Sequence, residues 1–340
     1  MRWQEIKNQE KIKNNLIKRS DFLSKIRGFF ANNGFIEIDS PLLVAKPNME
    51  SNLDVFETTL RKNNGETKTL FLITSPEFAL KKILAAGLPK IYQMSKSFRN
   101  NEPWNENHNP EFTLLEWYET NVSYFDLMDQ VEKLVDHVSG HQSSIIFQGK
   151  EINLARPWIR LSMQEAWAKY AGVDLNDYLT YDTMRALVLK KGYTANADDS
   201  WEDLFFKIFL TEIELRFADE TQPIFLYDFP VSMAAMSRVK KEDPRYAERF
   251  ELYIGGLEIA NAYGELIDSV EQAKRFAADQ IEQVKRGLAK REIDEDFLQA
   301  LQSGLPECAG IALGVDRLIM LLTDSKDIAE VVPFCVKEMF

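Results

Sequence analysis

The chain is poor in the features that mark several large protein classes. Its two cysteines, Cys308 and Cys335, could form one bridge at most, which excludes a disulfide scaffold and a cysteine-rich zinc site. No apolar run approaches the roughly 20 residues of a bilayer span; Leu318 to Leu322 is typical of the longest. The opening MRWQEIKNQEKIKNN lacks the apolar core of a secretory signal. Basic residues are outnumbered 41 to 53, and the net charge of -12 opposes sequence-blind adhesion to nucleic acid or anionic lipid, leaving room only for a local basic patch. No segment repeats at a fixed period, and a serine hydrolase elbow, a Walker loop and a Rossmann glycine pattern are all missing. These absences predict a cytoplasmic protein with reduced thiols and no membrane partner.

What is present is ordinary globular composition, 45% hydrophobic and 28% charged over 340 residues. That length allows about two domains or one large domain with insertions. Leu16, Phe22, Leu23, Ile26, Phe29 and Phe30 recur at helical spacing before the stop signal Asn33-Gly34. A short strand, Phe35 to Asp39, follows and ends before Pro41. Val55 to Leu60 and Thr69 to Ile73 flank the turn Asn63-Asn64-Gly65-Glu66 as a hairpin. Ile91 to Arg99 and Phe112 to Thr120 predict a second antiparallel pair, joined by a loop carrying Pro103 and Pro110. From Ser123 to Trp201 the pattern reads mostly helical, with capping-box candidates at Ser123, Ser162 and Ser200. Strands return at Ile224 to Phe229 and Phe250 to Ile254, a helix spans about Val270 to Arg286, and Ala309 to Leu313 enters a helix near Asp316. The expected fold is α+β, an antiparallel sheet flanked by helices.

Chemistry concentrates in three segments. In Ser97 to Glu102 and His108 to Phe112, an arginine and a histidine flank a polar loop. On the strand that follows, Phe112, Leu114, Glu116 and Tyr118 share one face by period two, and Thr113, Leu115 and Trp117 share the other. The first face suits a flat base and a cationic group; the second suits packing. In Phe250 to Glu265, three carboxylates recur every seven residues, so an unbroken strand would put Glu258 opposite Glu251 and Glu265. A bulge or tight bend at Gly255-Gly256 or Gly264 could bring them to one side. In Gly310 to Arg317, glycines permit close backbone approach and Arg317, in the first turn of a helix, could meet phosphate or lie over a ring. Each segment alone would be more often structural than functional.

The ordered set resembles the motifs of class II aminoacyl-tRNA synthetases. Pro41 after a helix and strand matches their motif 1, Phe98-Arg99 through Phe112 motif 2, and Gly310 to Arg317 motif 3, so the likeness runs from about Leu16 to Phe334. His108 to Phe112 and Gly256 to Leu266 are similar to lysyl-tRNA synthetases. Thr113 to Tyr118 and Ala309 to Arg317 look closer to a truncated paralogue family, ligases that act on elongation factor P. Ala312 stands where lysyl-tRNA synthetases have glycine, which would reshape the amino-acid pocket, and Ala260 and Ala262 also replace glycines. The motif 2 loop is one residue longer than usual, carries Asn107 in place of an arginine, and is acidic where synthetases meet the tRNA end. With only about 15 residues before the first core helix, an anticodon-binding domain is not expected. The resulting division is an extension at 1–15 and a catalytic domain at 16–340 with a mainly helical insertion at about 123–222.

This resemblance implies ATP-dependent activation of (R)-β-lysine or lysine as an adenylate and transfer to a lysine of elongation factor P, with tRNA an unlikely partner. It implies catalytic roles for Arg99 at the α-phosphate and Arg317 at the γ-phosphate and adenine. Asn100, Asn101, Glu102, His108, Asn109, Phe112, Glu258, Ile259 and Gly314 would complete the ATP site, with Phe112 stacking on adenine. Glu251 and Glu258 would bind Mg²⁺. Ser75, Pro76 and Glu77 would receive the amino group near the reacting carboxylate, Tyr118 and Glu265 the side-chain ammonium, and Asn261 and Ala312 would line the wall. Motif 1 implies a homodimer. The alternatives are a lysyl-tRNA synthetase-like enzyme without an anticodon domain, an amide ligase of asparagine-synthetase type, and an inactive regulatory paralogue. Trp104, Trp117, Trp158, Trp167 and Trp201 are assigned to packing or interfaces, and Cys308 to a small hydrophobe.

Overall fold

A computed structural model describes residues 1–338 as two compact units, Met1–Ser123 with residues 266–338, and Tyr124–Glu265. The chain enters the first unit with helices α1 (Arg2–Asn8) and α2 (Glu10–Asn32). Phe22, Ile26 and Phe30 fall four apart and are buried, and Gly34, at φ +76°, supplies the left-handed turn after the helix. The helix starts earlier than its apolar pattern suggests. Within the expected extension, Ile12 and Asn15 are buried, and the Asn15 amide donates to Ser325 Oγ at 3.0 Å. The polar start is therefore tethered by contacts made more than 300 residues away in sequence.

Strand β1 (Ile36–Glu37) follows, then β2 (Leu43–Val44), β3 (Glu57–Arg61) and β4 (Thr67–Leu72), which make a small antiparallel sheet in the order β2-β4-β3. The expected turn closes the β3–β4 hairpin, with Gly65 at φ +90°. Helix α3 (Glu77–Ala85) leads to β5 (Lys90–Phe98) and β6 (Glu111–Thr120), antiparallel along their whole length. The two faces of β6 divide as the period predicts. Trp117 packs edge-on against Phe30 of α2, 5.3 Å between ring centroids, and Phe30 also stacks on Tyr92 of β5 at 4.4 Å. That packing leaves the Phe112, Glu116 and Tyr118 face for chemistry.

The second unit begins with α4 (Tyr124–Ser139). Three strands then interrupt a region the sequence reads as mostly helical: β7 (Ser144–Phe147), β8 (Lys150–Asn153) and β9 (Ile159–Ser162). At four residues each they are too short for a period of two to stand out. Helices return as α5 (Met163–Ala166), α6 (Tyr181–Lys190), α7 (Trp201–Ile208) and α8 (Leu215–Phe217), with π-helical turns at Trp167–Ala171 and Phe209–Glu214. The capping boxes at Ser162 and Ser200 both form. Trp167, Phe205 and Phe209 anchor the core of this region, and Trp201 packs on Phe205. Strands β10 (Ile224–Pro230), β11 (Tyr246–Ile254) and β12 (Leu257–Gly264) complete the unit, with β9 parallel to β10 and the other pairs antiparallel.

The chain returns to the first unit as α9 (Ser269–Lys285), α10 (Glu295–Gln302), β13 (Cys308–Gly314) and α11 (Val315–Leu322). Strand β13 pairs antiparallel with β6, from Cys308 opposite Thr120 to Gly314 opposite Leu114, giving the strand order β1-β5-β6-β13. Phe78 of α3 stacks on Phe297 of α10 at 4.3 Å. Both cysteines are buried and free. Among the described residues no helix is long and apolar enough to cross a membrane. Of the tryptophans assigned to packing or interfaces, Trp104 is 62% exposed in the loop between β5 and β6.

Candidate active site

In the first unit the β5–β6 pair presents Arg99 immediately past the end of β5. Its guanidinium carbon lies 5.1 Å from the centroid of the Phe112 ring, and its buried Nε has no hydrogen-bond partner among the described residues. Such an arrangement leaves donors for an anion while the ring fixes their direction. The Arg99 amide is held by the Pro110 carbonyl at 2.9 Å and the Asn100 amide by the Asp54 carbonyl at 3.1 Å. The Asn100 side chain accepts from the amide of Asn101, a residue at φ +55°, so this pair shapes the turn.

His108 links motif 2 to motif 3. Its Nε2 lies 3.0 Å from Nη2 of Arg317, and its Nδ1 lies 2.8 Å from Oδ1 of Asn105. Because a guanidinium only donates, Nε2 accepts and Nδ1–H donates, which fixes a neutral tautomer. Burial, then Arg317, pushes the imidazole pKa down; Glu102 opposes them, and Arg99 adds the smallest downward push. Two guanidiniums therefore act on one imidazole, a locally cationic setting within a net acidic chain. Asn109 spends both ends of its amide inside the protein, donating to the Glu111 carbonyl and accepting from the Val336 amide, so it holds the loop rather than presenting a free amide. Gly314 caps α11 at the end of β13, and Ala312 pairs with Glu116 across β13 and β6.

Sequence reasoning missed the tie that aligns these elements. Asp316 accepts from the Thr113 amide at 2.7 Å and meets Arg19 of α2 at 2.6 Å, while Arg19 also donates to Thr113 Oγ1 at 2.9 Å. One buried carboxylate thus joins the three motif elements α2, β6 and α11. No local pattern signals it.

The same unit gathers carboxylates at the start of α3. Ser75 Oγ accepts from the Glu77 amide at 3.1 Å and from Asn48 Nδ2 at 3.3 Å, and Pro76 occupies the N-cap. Buried Glu77 pairs with buried Lys81 at 2.7 Å. Buried Glu116 accepts from Tyr118 at 3.0 Å, and its pKa is pushed up to about 8, first by burial and then by the nearby charge of Glu77. Glu50, which the sequence did not single out, is pushed up to about 7 by burial and by Glu77, against the pull of Arg99.

In the second unit Gly255 and Gly256 act as the spacing of Glu251 and Glu258 requires. Gly255 and Gly256, both at positive φ, form a two-residue hairpin turn between β11 and β12. A Cβ on Gly256 would meet Ala218 Cβ at 2.8 Å, so no larger residue fits there unchanged. The register pairs Leu252 with Ala260 and Tyr253 with Glu258, leaving Ile259 as the extra residue of a bulge. Turn and bulge together set Glu251, Glu258 and Asn261 on one face. Arg249, missed by sequence reasoning, organises that face. It donates to Glu251 Oε1 at 2.7 Å and to Asn261 Oδ1 at 3.2 Å, and stacks over Phe229 at 4.4 Å. Tyr253 donates to the other oxygen of Glu251 at 2.7 Å. Glu265 is fully buried just past Gly264 and bridges to Ser237 through backbone pairing.

Among the described residues no group of three or more His, Cys, Asp or Glu side chains is arranged to hold a metal ion by itself. Two carboxylates on one face of the paired strands β11 and β12 are nevertheless the donor set that Mg²⁺ takes when phosphate oxygens and water supply the rest.

Residues 1–338 match the family described as class II tRNA synthetases (D, K and N), and the chain belongs to that family. Such enzymes use ATP, and the chain is an ATP-dependent amino-acid ligase. A relative from Hamiltonella defensa subsp. Acyrthosiphon pisum, named elongation factor P--(R)-beta-lysine ligase, is 39% identical over 326 residues, 95% of each chain. Relatives of the same name from Salmonella paratyphi B and Salmonella schwarzengrund are 36% identical over 324 residues, again 95% of each chain.

Proposed function

We propose that the chain activates (R)-β-lysine or lysine with ATP and transfers it to the ε-amine of a lysine on elongation factor P. In the first step the substrate carboxylate attacks the α-phosphorus, the bond to the bridging oxygen breaks and pyrophosphate leaves. In the second the acceptor amine attacks the adenylate carbonyl, loses a proton, and AMP leaves. The observation that carries the reading is the pair of guanidiniums, Arg99 over Phe112 and Arg317 against neutral His108, both acting on that imidazole. Charges fixed in advance stabilise the pentacovalent phosphorus without reorganisation. Near-complete matches to ligases of one name support the amino acid and the acceptor.

Arg99 is assigned to the α-phosphate and Arg317 to the γ-phosphate. Phe112, Glu102, Ile259 and Gly314 are assigned to the rest of the nucleotide, and Asn100, Asn101 and Asn109 to the shape of its loop. Glu251 and Glu258 are the side chains that would hold Mg²⁺, which supplies charge neutralisation on the phosphates when bound. Tyr118 and Glu265 are assigned to the side-chain ammonium, Glu77 and Glu116 to the other amine, and Asn261 and Ala312 to the wall. The division into a catalytic domain with an insertion, and pairing of two copies through the motif 1 helix, belong to the same reading; sedimentation of the free enzyme tests the dimer.

The test is acylation of purified elongation factor P. With ATP and (R)-β-lysine, intact-mass spectrometry is expected to show one added β-lysyl group on a lysine. Acylation of tRNA instead of the protein would move the assignment to a synthetase.

A further inference from the structure

The carboxylates beside α3 are unequally supplied with cations. Glu77 has Lys81 at 2.7 Å. Among the described residues Glu116 has neutral donors alone, Tyr118 at 3.0 Å and Ser75. Glu50 sits on a rigid loop: Arg291 donates to the carbonyls of Asn48 and of Glu50 itself, each at 3.1 Å, and also to that of Leu53, and Gln283 donates to the Met49 carbonyl at 2.8 Å. Arg291 is thus engaged by backbone oxygens, and of the two guanidiniums whose charge reaches Glu50 it pulls less than Arg99. Its carboxylate oxygen Oε2 is buried and has no hydrogen-bond partner among the described residues.

A second set of groups faces the same region. Ser97, 0% exposed, and Ser95, 8% exposed, lie opposite Phe112 and Leu114 on the face of β5 that continues the Glu116 and Tyr118 face of β6. Neither hydroxyl has a hydrogen-bond partner among the described residues. Buried polar groups are rarely left unsatisfied, and a cluster of them on one face is the pattern of a polar ligand site. Asn48, two residues before Glu50, reaches Ser75 Oγ at 3.3 Å, which ties the loop to the segment assigned to the substrate amine.

We propose that Glu50 is a specificity-determining residue, the carboxylate that with Glu116 receives the ammonium next to the reacting carboxylate of a diamino acid. This rests on the reading under Proposed function and adds a residue to it. A neutral residue there would leave Glu116 as the one carboxylate for that amine without a cation already in contact. An amino acid lacking that amine would bind without using Glu50 at all.

The experiment is amino-acid-dependent ATP and pyrophosphate exchange by the wild type, Glu50→Gln and Glu50→Asp, with (R)-β-lysine and L-lysine as substrates and 6-aminohexanoate as a competitive inhibitor. Glu50→Gln is expected to raise the KM for the better diamino acid roughly ten- to a hundredfold, as loss of a charge-assisted contact implies. Its KM for ATP should stay within about twofold of wild type, the inhibition constant of 6-aminohexanoate should not move, and Glu50→Asp should recover part of the loss. An unchanged amino-acid KM in Glu50→Gln overturns the proposal, as does a parallel rise in the KM for ATP or in the inhibition constant. If the wild type itself exchanges with no amino acid, the ligase reading fails and this inference with it; an active wild type with an indifferent Glu50→Gln overturns the role of Glu50 alone.

Discussion

Two sets of carboxylates in this molecule are treated in opposite ways. On the β11–β12 hairpin, both oxygens of Glu251 are occupied, one by Arg249 and one by Tyr253, and the guanidinium that holds it reaches on to Asn261. Beside α3, Glu50 and Glu116 make no ion pair among the described residues, and burial with the charge of Glu77 lifts their pKa values to about 7 and about 8. The first set is built to stay in place. The second stores unfavourable charge that an incoming ammonium would relieve, so the same residue type serves geometry in one region and recognition in the other.

The comparison can be broken first at the cations. Arg99→Ala should lower the rate of adenylate formation about a hundred- to a thousandfold, as removal of one preorganised donor from a developing anion does, with thermal stability little changed. Exchange kinetics beside a melting curve would check it. Arg249→Met should act the other way round, costing about 3 to 5 kcal/mol of stability by taking the cation from Glu251, whose side chain is 12% exposed and would keep only the Tyr253 hydroxyl. Denaturant unfolding measures that cost, and a loss of under 1 kcal/mol would mean that Glu251 is not held as described. Glu116→Gln sharpens the contrast: the KM for the diamino acid should rise roughly tenfold or more, while the melting temperature stays level or rises, because a repelled buried charge has been removed.

The smallest effect is on pH. A carboxyl whose folded pKa lies above its ordinary 4.5 binds more protons folded than unfolded, so its share of stability falls as pH rises from about 4.5 through about 7 for Glu50 and about 8 for Glu116. The wild type should therefore lose more stability between pH 5 and 8 than a Glu50→Gln, Glu116→Gln double variant. Over the same range the amino-acid KM of the wild type should fall, since the ionised carboxylates receive the ammonium. Equal slopes for the two proteins would show that these carboxyls are not the ones titrating.

Much of this was legible in the sequence because the signals are local. The spacing of Phe22, Ile26 and Phe30, the turn at Gly65, the β5–β6 alternation and the caps at Ser162 and Ser200 each depend on neighbours a few residues away. The two faces of β6 could be read from parity alone, and the glycines between Glu251 and Glu258 marked where parity would be broken. What escaped depends on distance along the chain. Arg19 and Asp316 meet across nearly 300 residues, Glu50 takes its character from Glu77, Arg99, Asp279 and Arg291, and Arg249 was hidden beside a glutamate that drew attention first. Strands of four residues, such as β7 and β8, offered too little pattern to be separated from the helices around them.

The most direct measurement is the fate of ATP. Phosphorus NMR of the enzyme with ATP, Mg²⁺ and (R)-β-lysine should show AMP and pyrophosphate forming only when the amino acid is present, and reversal when labelled pyrophosphate is added. ADP and inorganic phosphate in their place would contradict attack at the innermost phosphorus, and with it the account of Arg99 and Arg317.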